Sequence, residues 1–346
     1  MTELTLLMRD ESRPTERRAP LSPETAGKLI REGVAISVER SSRRVFGDEE
    51  YAAAGCVLVP PGSWPDAPED VYVVGLKELP DRPHLLRHRH IFFGHAYKDQ
   101  PGSVNLLRRF TEGGGTLLDL ESLVDERGRR VAAFGYWAGY VGAALAVLRH
   151  RGALVEPLTP TTRGELDKAL AENAGPLRAL VIGALGRCGS GAGDALVAAG
   201  AEVTRWDLAE TENLDVAALL DHDVLVNAVL ATGPIPPFLT TETLRRPRRL
   251  SVIADVTCDV GSPCHTLPIY DRTTTWQDPV LQRDGLDVIA IDNLPSLLPR
   301  EATVDFAADL APHLAVLDDS GVWRRAEAAF TAACASHDLH RKEDHA

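Results

Sequence analysis

Apolar residues come in short runs along the first third of the chain: residues 4–8 (LTLLM), 34–39 (VAISVE), 57–59 (VLV), 71–76 (VYVVGL) and 91–93 (IFF). Runs of this length, bounded by polar and turn-forming residues, predict buried strands. Between the first two, Ser22-Pro23-Glu24 predicts a helix start, with serine as the N-cap and proline in the first turn, and the helix runs through Leu29. A second helix ends over residues 51–55, and GTLLDL (115–120) is strand-like. Strands alternating with helices at this pitch predict parallel βαβ units.

The pattern then changes. Residues 131–148 (VAAFGYWAGYVGAALAVL) are 18 positions without a charge, between Arg130 and Arg149. That length touches the lower limit for a membrane-spanning helix, and Gly135 and Gly139 make a GxxxG. A single span in the middle of an α/β chain would divide it awkwardly, so a fully buried helix with small residues for close packing is the expectation. Residues 157–175 read as a polar connector. Strands follow at 180–182, 202–206, 222–229, 250–256 and 286–291, a helix starts within 295–300, and the last helix, 322–336, returns to the first domain. The fold class expected is α/β, two Rossmann-like domains with parallel sheets flanking an interdomain cleft. Residues 1–133 with 319–346 form a substrate and catalytic domain, and 134–318 a dinucleotide-binding domain.

The second domain is organised around residues 177–196, LRALVIGALGRCGSGAGDAL. An apolar strand turns through Gly183, Gly186 and Gly189 into a helix, with Arg187 and Cys188 inside the turn. This layout presents backbone N–H groups to a phosphate, and glycine keeps side chains out of the way. The spacing G-x-x-G-x-x-G is one residue longer than the usual fingerprint. About twenty residues on, Asp207 ends the next strand, where a carboxylate accepts the ribose hydroxyls of an adenosine. Asp207 favours NAD, since it would repel the additional phosphate of NADP; Arg187 pulls slightly the other way. The competing reading is a tight turn whose glycines serve packing alone.

Composition narrows the partners. The 346 residues are 44% hydrophobic and 25% charged, ordinary for a globular protein, and the net charge of −13 argues against nucleic acid. Local arginines still leave an anionic small molecule open. The five cysteines are odd in number and form no CxxC, which favours a reducing, cytoplasmic setting over a disulfide framework. Cys258, Cys264 and His265 lack a fourth partner for zinc, so no metal is expected. The N-terminus shows no secretory leader. A monomer is the favoured state.

Chemistry concentrates at strand ends. Lys77 and Glu78 follow VYVVGL, and His95 follows IFF, at the edge where open α/β sheets place ligands. Lysine acts as a base near neutrality only when burial or positive neighbours depress its pKa, which Glu78 would oppose. Side by side, Lys77 and His95 make an acid–base pair; alone, each is also readable as a solvated strand-end residue or a structural histidine. Arg13, Arg17 and Arg18 lie in the charged N-terminal segment, and Arg129 and Arg130 precede the apolar helix. Such arginines offer planar forks to carboxylates, although most arginine runs are solvated faces. Glu121 follows GTLLDL, and Asp292 follows the strand at 286–291.

Taken together, RDESRPTERRAPLSPE, GLKELP, IFFGHAYKDQ, GTLLDLESL, GRRVAAFGYWAGYVGAAL, VIGALGRCGSGA and IDNLPSLLPRE resemble the NAD-dependent, L-lysine-forming saccharopine dehydrogenases, relatives of alanine dehydrogenase and the transhydrogenase nucleotide subunit. The resemblance covers nearly the whole chain in unchanged order. It implies oxidation of saccharopine by NAD to an imine, then hydrolysis to lysine and 2-oxoglutarate. Lys77 would take the proton of the secondary amine and His95 would activate water, with Glu78 and Glu121 tuning that pair. Arg18, Arg13, Arg130 and Asp292 would position substrate, Arg130 also the cofactor, and Gly183, Gly186, Arg187, Cys188, Gly189 and Asp207 would hold the dinucleotide. Two departures stand out. Arg13 replaces a frequent lysine, and Ala228 stands where a cysteine would face Cys188, so no cysteine pair forms there. The rival readings are a sister amine dehydrogenase acting on another N-substituted lysine, an opine-like secondary amine or alanine, and a non-catalytic dinucleotide module.

Overall fold

The short apolar runs become strands in the computed structural model, which describes residues 4–97, 100, 102–172, 174–231, 233–317 and 320–340. The chain divides into two units, Met1–Ala133 with Ala302–Ala346, and Phe134–Glu301. The 318/319 boundary expected from the sequence lies outside the described residues, as do Lys98 and Asp99 of the IFFGHAYKDQ stretch.

The first unit opens with β1 (Thr5–Met8), α1 (Pro23–Arg31), β2 (Ala35–Glu39), α2 (Asp48–Ala53) and β3 (Val57–Val59). It continues through β4 (Tyr72–Val74), β5 (Arg89–Phe92), α3 (Ser103–Gly113) and β6 (Thr116–Asp119). The six strands form one parallel sheet in the order β3-β2-β1-β4-β5-β6. That order reverses direction between β1 and β4, which makes their C-terminal ends the switch point where such sheets bind ligands. α1 starts as the sequence predicts: Ser22 Oγ accepts the Thr25 N–H at 3.2 Å and Thr25 Oγ1 accepts the Ser22 N–H at 3.0 Å. α3 was not anticipated; it buries Leu107 and Phe110 on the sheet and starts from a left-handed Gly102 with no capping side chain.

The second unit holds α4 (Gly135–His150), α5 (Arg163–Glu172), β7 (Arg178–Ile182), α6 (Arg187–Ala198), β8 (Glu202–Trp206), α7 (Leu208–Thr211) and α8 (Val216–Leu220). Then come β9 (Val224–Asn227), β10 (Val252–Asp255), β11 (Leu281–Arg283) and β12 (Leu286–Ile289). Its sheet runs β11-β12-β10-β9-β7-β8 and is parallel except at one edge. There β11 pairs antiparallel with β12 through Asp284-Gly285, both at positive φ (50° and 74°), a two-residue hairpin. After them come α9 (Pro299–Leu314) and α10 (Gly321–Ser336). In the first unit, the Phe330 ring of α10 meets Phe110 of α3 edge-on at 6.1 Å, and Arg325 donates to the Val124 carbonyl at 2.9 and 3.2 Å.

Two expectations need correction. Residues 157–175 are not an unbroken connector, because α5 lies within them, and it buries Leu166 and Leu170. The apolar stretch is helical only from Gly135, and its glycines serve another helix. A Cβ at Gly139 would stand 1.8 Å from the Cys188 carbonyl oxygen, and one at Gly191 1.9 Å from that of Tyr136, so α4 and α6 touch backbone to backbone. On its other side α4 meets the sheet at Gly142, where a Cβ would be 3.0 Å from Val256 Cγ2. A helix covered on all sides needs no polar face. Among the described residues no helix is long and apolar enough to cross a membrane.

Candidate active site

At the C-terminal edge of the first sheet, β4 and β5 leave in register. Val74 pairs with Ile91, and the ladder continues with Gly75 N–H to Ile91 O (2.9 Å) and Phe93 N–H to Leu76 O (3.1 Å). Lys77 and His95 therefore emerge from adjacent strands at neighbouring positions. β6 lies beyond β5, with Asp119 opposite Phe92, and Glu121 follows two residues later. His95 Nδ1 stands 3.2 Å from Glu121 Oε2, and the imidazole stacks on Phe93 with ring centroids 6.2 Å apart. Its backbone is left-handed at φ 48°, unusual for a residue with a side chain. Its other ring nitrogen, Nε2, is not part of this pairing.

Asp119 was not singled out from the sequence. It is 1% exposed, its Oδ1 accepts the Glu121 N–H at 2.9 Å, and it lies in the field of His95 and Glu121. Burial pushes its carboxyl above the usual range, against the hydrogen bond from Glu121. The signal was the D of GTLLDL, an acid closing an apolar strand. Arg9 and Glu11 were likewise missed: both are buried beside Leu76 and Lys77.

The arginines divide. Arg13 lays its fork on Glu78, with Nε to Oε1 at 3.0 Å and the terminal nitrogen to Oε2 at 3.1 Å. Partial burial pushes the Glu78 carboxyl up, but the Arg13 hydrogen bonds and charge, helped by Lys77, hold it below its ordinary value. Arg13, expected among the substrate-binding residues, pairs with Glu78 in this structure. Arg18 is 4% exposed, and its Nε and one terminal nitrogen meet Glu16 at 2.8 and 2.6 Å. Arg130 is exposed after a bridge to Val124, while Arg129 pairs with Asp125.

In the second unit the three glycines of the turn do different work. Gly183 has φ 81°, and a Cβ there would be 2.8 Å from the Ala228 carbonyl oxygen. A Cβ at Gly189 would strike Gly183 O at 2.2 Å, so this glycine lets α6 close on β7. Gly186, the N-cap of α6, has φ −77°, and a Cβ would meet nothing nearer than 3.4 Å. Protein packing does not demand glycine there, whereas a pyrophosphate approaching the N–H groups of α6 does. Asp207 sits at the end of β8. Its Oδ2 accepts the Leu185 N–H and its Oδ1 the Leu208 N–H, both at 2.9 Å. It ties the turn to β8 while each oxygen keeps acceptor capacity for a ribose hydroxyl. These residues fit a dinucleotide. Arg187 is exposed as the first residue of α6; Cys188 is half-buried where α6 meets α4. Asp292 is exposed beyond β12, one residue after the bridge from Ile291 to Thr274.

Comparison with known proteins accounts for both units. Residues 7–141 match the family model "Alanine dehydrogenase/PNT, N-terminal domain", and residues 207–339 the corresponding C-terminal domain. The saccharopine dehydrogenase [NAD(+), L-lysine-forming] of Neurospora crassa is 46% identical, covering 95% of this chain and 96% of that protein. That of Emericella nidulans is 42% identical, over 93% and 95%. The chain belongs to the L-lysine-forming saccharopine dehydrogenase family. At the level of fold, a solved L-alanine dehydrogenase superposes with a TM-score of 0.70 at 20% identity, covering 94% of this chain and 93% of the other. The two α/β units of this saccharopine dehydrogenase relative are therefore an architecture shared well beyond its sequence family.

Proposed function

We propose that this chain catalyses the reversible conversion of saccharopine, NAD+ and water to L-lysine, 2-oxoglutarate, NADH and a proton. The observation that carries this is its similarity, at 46% identity along nearly the full length, to an enzyme named for that reaction. The geometry of the first unit supports it. Lys77 stands at the sheet edge to take the proton of the secondary amine. His95, oriented by Glu121, activates the water that attacks the resulting imine carbon and returns a proton to the departing lysine nitrogen. Screened by Arg13, Glu78 exerts a weakened pull on Lys77. Arg13, Arg18 and Arg130 are the cations proposed for the substrate's carboxylates, the first two with forks already engaged by Glu78 and Glu16, and Asp292 suits its amino groups. In the second unit Gly183, Gly186, Gly189 and Asp207, with Arg187 and Cys188 at the start of α6, are the residues that would hold NAD; bound there, it supplies the hydride acceptor.

The reaction needs only small molecules, and among the described residues the five cysteines form no disulfide, which suits a cytoplasmic enzyme. The test is a kinetic scan of lysine against several 2-oxoacids, followed by NADH absorbance. Strong preference for 2-oxoglutarate is expected; turnover no better than with pyruvate would move the assignment to another amine substrate.

A further inference from the structure

The backbone of Lys77 is held by side chains from β1's continuation. Arg9 N–H still donates to the Val74 carbonyl at 3.0 Å, extending the ladder between β1 and β4 by one residue. Beyond it, side chains of residues 9–12 meet the backbone of residues 76–78. Glu11 Oε1 accepts the Leu76 N–H at 2.7 Å and Oε2 the Lys77 N–H at 3.0 Å. The Arg9 guanidinium donates to the Lys77 carbonyl and pairs with Glu11 Oε2 at 3.2 Å. Ser12 Oγ donates to the Glu78 carbonyl at 3.0 Å. Both N–H and C=O of Lys77 are thus engaged by one ion pair.

That pair lies out of water, with the Arg9 side chain 1% and the Glu11 side chain 7% exposed. Gly75 makes the space, since a Cβ there would stand 2.4 Å from Arg9 Nε. The Phe92 ring lies 5.7 Å from the guanidinium carbon. Burial pushes the Glu11 carboxyl up, with Glu16 adding to it; Arg9 and the two N–H donors pull it down. The groups that meet its oxygens are all donors, so the geometry is that of a carboxylate.

A buried ion pair is a weak source of stability, because desolvation offsets the attraction and apolar replacements are often as good. What it supplies here is direction. A carboxylate bridging two successive N–H groups and a guanidinium on the next carbonyl define three points of one short segment. The lysine side chain is long and flexible, so the path of its backbone sets the point from which it reaches out.

We infer that the buried Arg9–Glu11 pair is the positioning device for Lys77, setting the path of residues 76–78 and so the point at which the ammonium is delivered to substrate. This rests on Lys77 being the base of the proposed reaction. Arg9 and Glu11 act through Lys77 and need not touch substrate.

The experiment compares E11Q, R9K, K77M and the double variant K77M/E11Q in the full-length chain. Measured for each are the unfolding temperature, NADH affinity by fluorescence, kcat, KM and the pH dependence of kcat/KM. Folded E11Q should lose about 10- to 100-fold in kcat, the scale of a misplaced catalytic group. It should also shift the pH profile and keep its NADH affinity, since the glycine turn belongs to the other unit. K77M/E11Q should be no slower than K77M, because a positioning residue has nothing left to position. Should E11Q not fold, R9K, which keeps the charge and loses the fork, carries the same expectations. Wild-type kcat and pH profile in folded E11Q and R9K, with K77M impaired, would overturn the positioning role and leave the base assignment standing. So would an equal proportional loss from E11Q in both backgrounds. A fully active K77M would overturn the base assignment and the inference with it.

Discussion

His95 combines an uncommon backbone conformation, φ 48°, with a side chain 54% exposed and bound to Glu121. Left-handed backbone at a residue with a side chain is a cost that folds retain mainly where it aims something. Lys77 is aimed differently, by hydrogen bonds from below. If both act as acid–base groups, Lys77→Met and His95→Gln should each reduce turnover by about 10²-fold or more in steady-state assays. Near-normal rates in both would remove their roles. Asp207 anchors Leu185 of the glycine turn, and the proposed function gives it a ribose hydroxyl as well. Asp207→Ala should weaken NAD binding far more than it raises the KM for lysine. Equal losses would mean that the aspartate only braces the fold.

Among the elements, α4 carries the sharpest lesson. Its composition alone is compatible with a membrane span or a buried core helix. The neighbour that decides is α6, whose Cys188 carbonyl lies where a Gly139 side chain would begin. The contact is rigid backbone on both sides, so it has little room to relax. Gly139→Ala should destabilise the protein by about 1–3 kcal/mol, read from the midpoint of urea unfolding, the usual scale for overpacking. An unchanged midpoint would mean that the two helices can slide apart. Other elements were legible in hindsight. α5 is announced by Thr162-x-x-Glu165, whose hydroxyl and carboxylate cap each other's N–H at 3.3 and 3.1 Å. β11 is announced by Asp284-Gly285 between two strand-like runs. The apolar runs placed the interior strands such as β1, β4, β7, β9 and β10, whose residues are almost all buried, because burial on both faces of a parallel sheet shows in the local sequence.

For the whole molecule, one group expected to make stability fall with acid is His90, at 0% exposure, with Trp64, Phe110 and Phe92 ring centroids 5.0, 5.4 and 6.3 Å away. Among the described residues neither ring nitrogen has a hydrogen-bond partner. Burial first, then Arg9, His88 and Arg109, hold its pKa well below the usual 6.5. The folded state keeps His90 neutral while the unfolded chain protonates it below about 6.5. Its contribution is therefore fully present above that pH and is lost as pH falls toward the depressed folded value. Glu11, Asp119 and Asp259, raised by burial, act in the opposite sense. The clean measurement is thus a difference. Unfolding midpoints taken from about pH 7 down to about pH 5 should fall less steeply in His90→Phe than in the wild type. Identical slopes would show that His90 is not the group responsible.

The sequence by itself determined the strands, the glycine turn with Asp207 after it, and the strand-end positions of Lys77 and His95. Each of these is written within a few consecutive residues, by burial, by backbone freedom or by the end of an apolar run. Only the tertiary structure decided which strands are neighbours. Because β4 lies between β1 and β5, Arg9 and Glu11 reach Lys77 across more than sixty residues of chain. The same order pairs the strand that leads to Lys77 with the strand that leads to His95 and sets Arg13 on Glu78. No local pattern encodes such a meeting, since the energy that fixes it comes from the packing of the whole sheet.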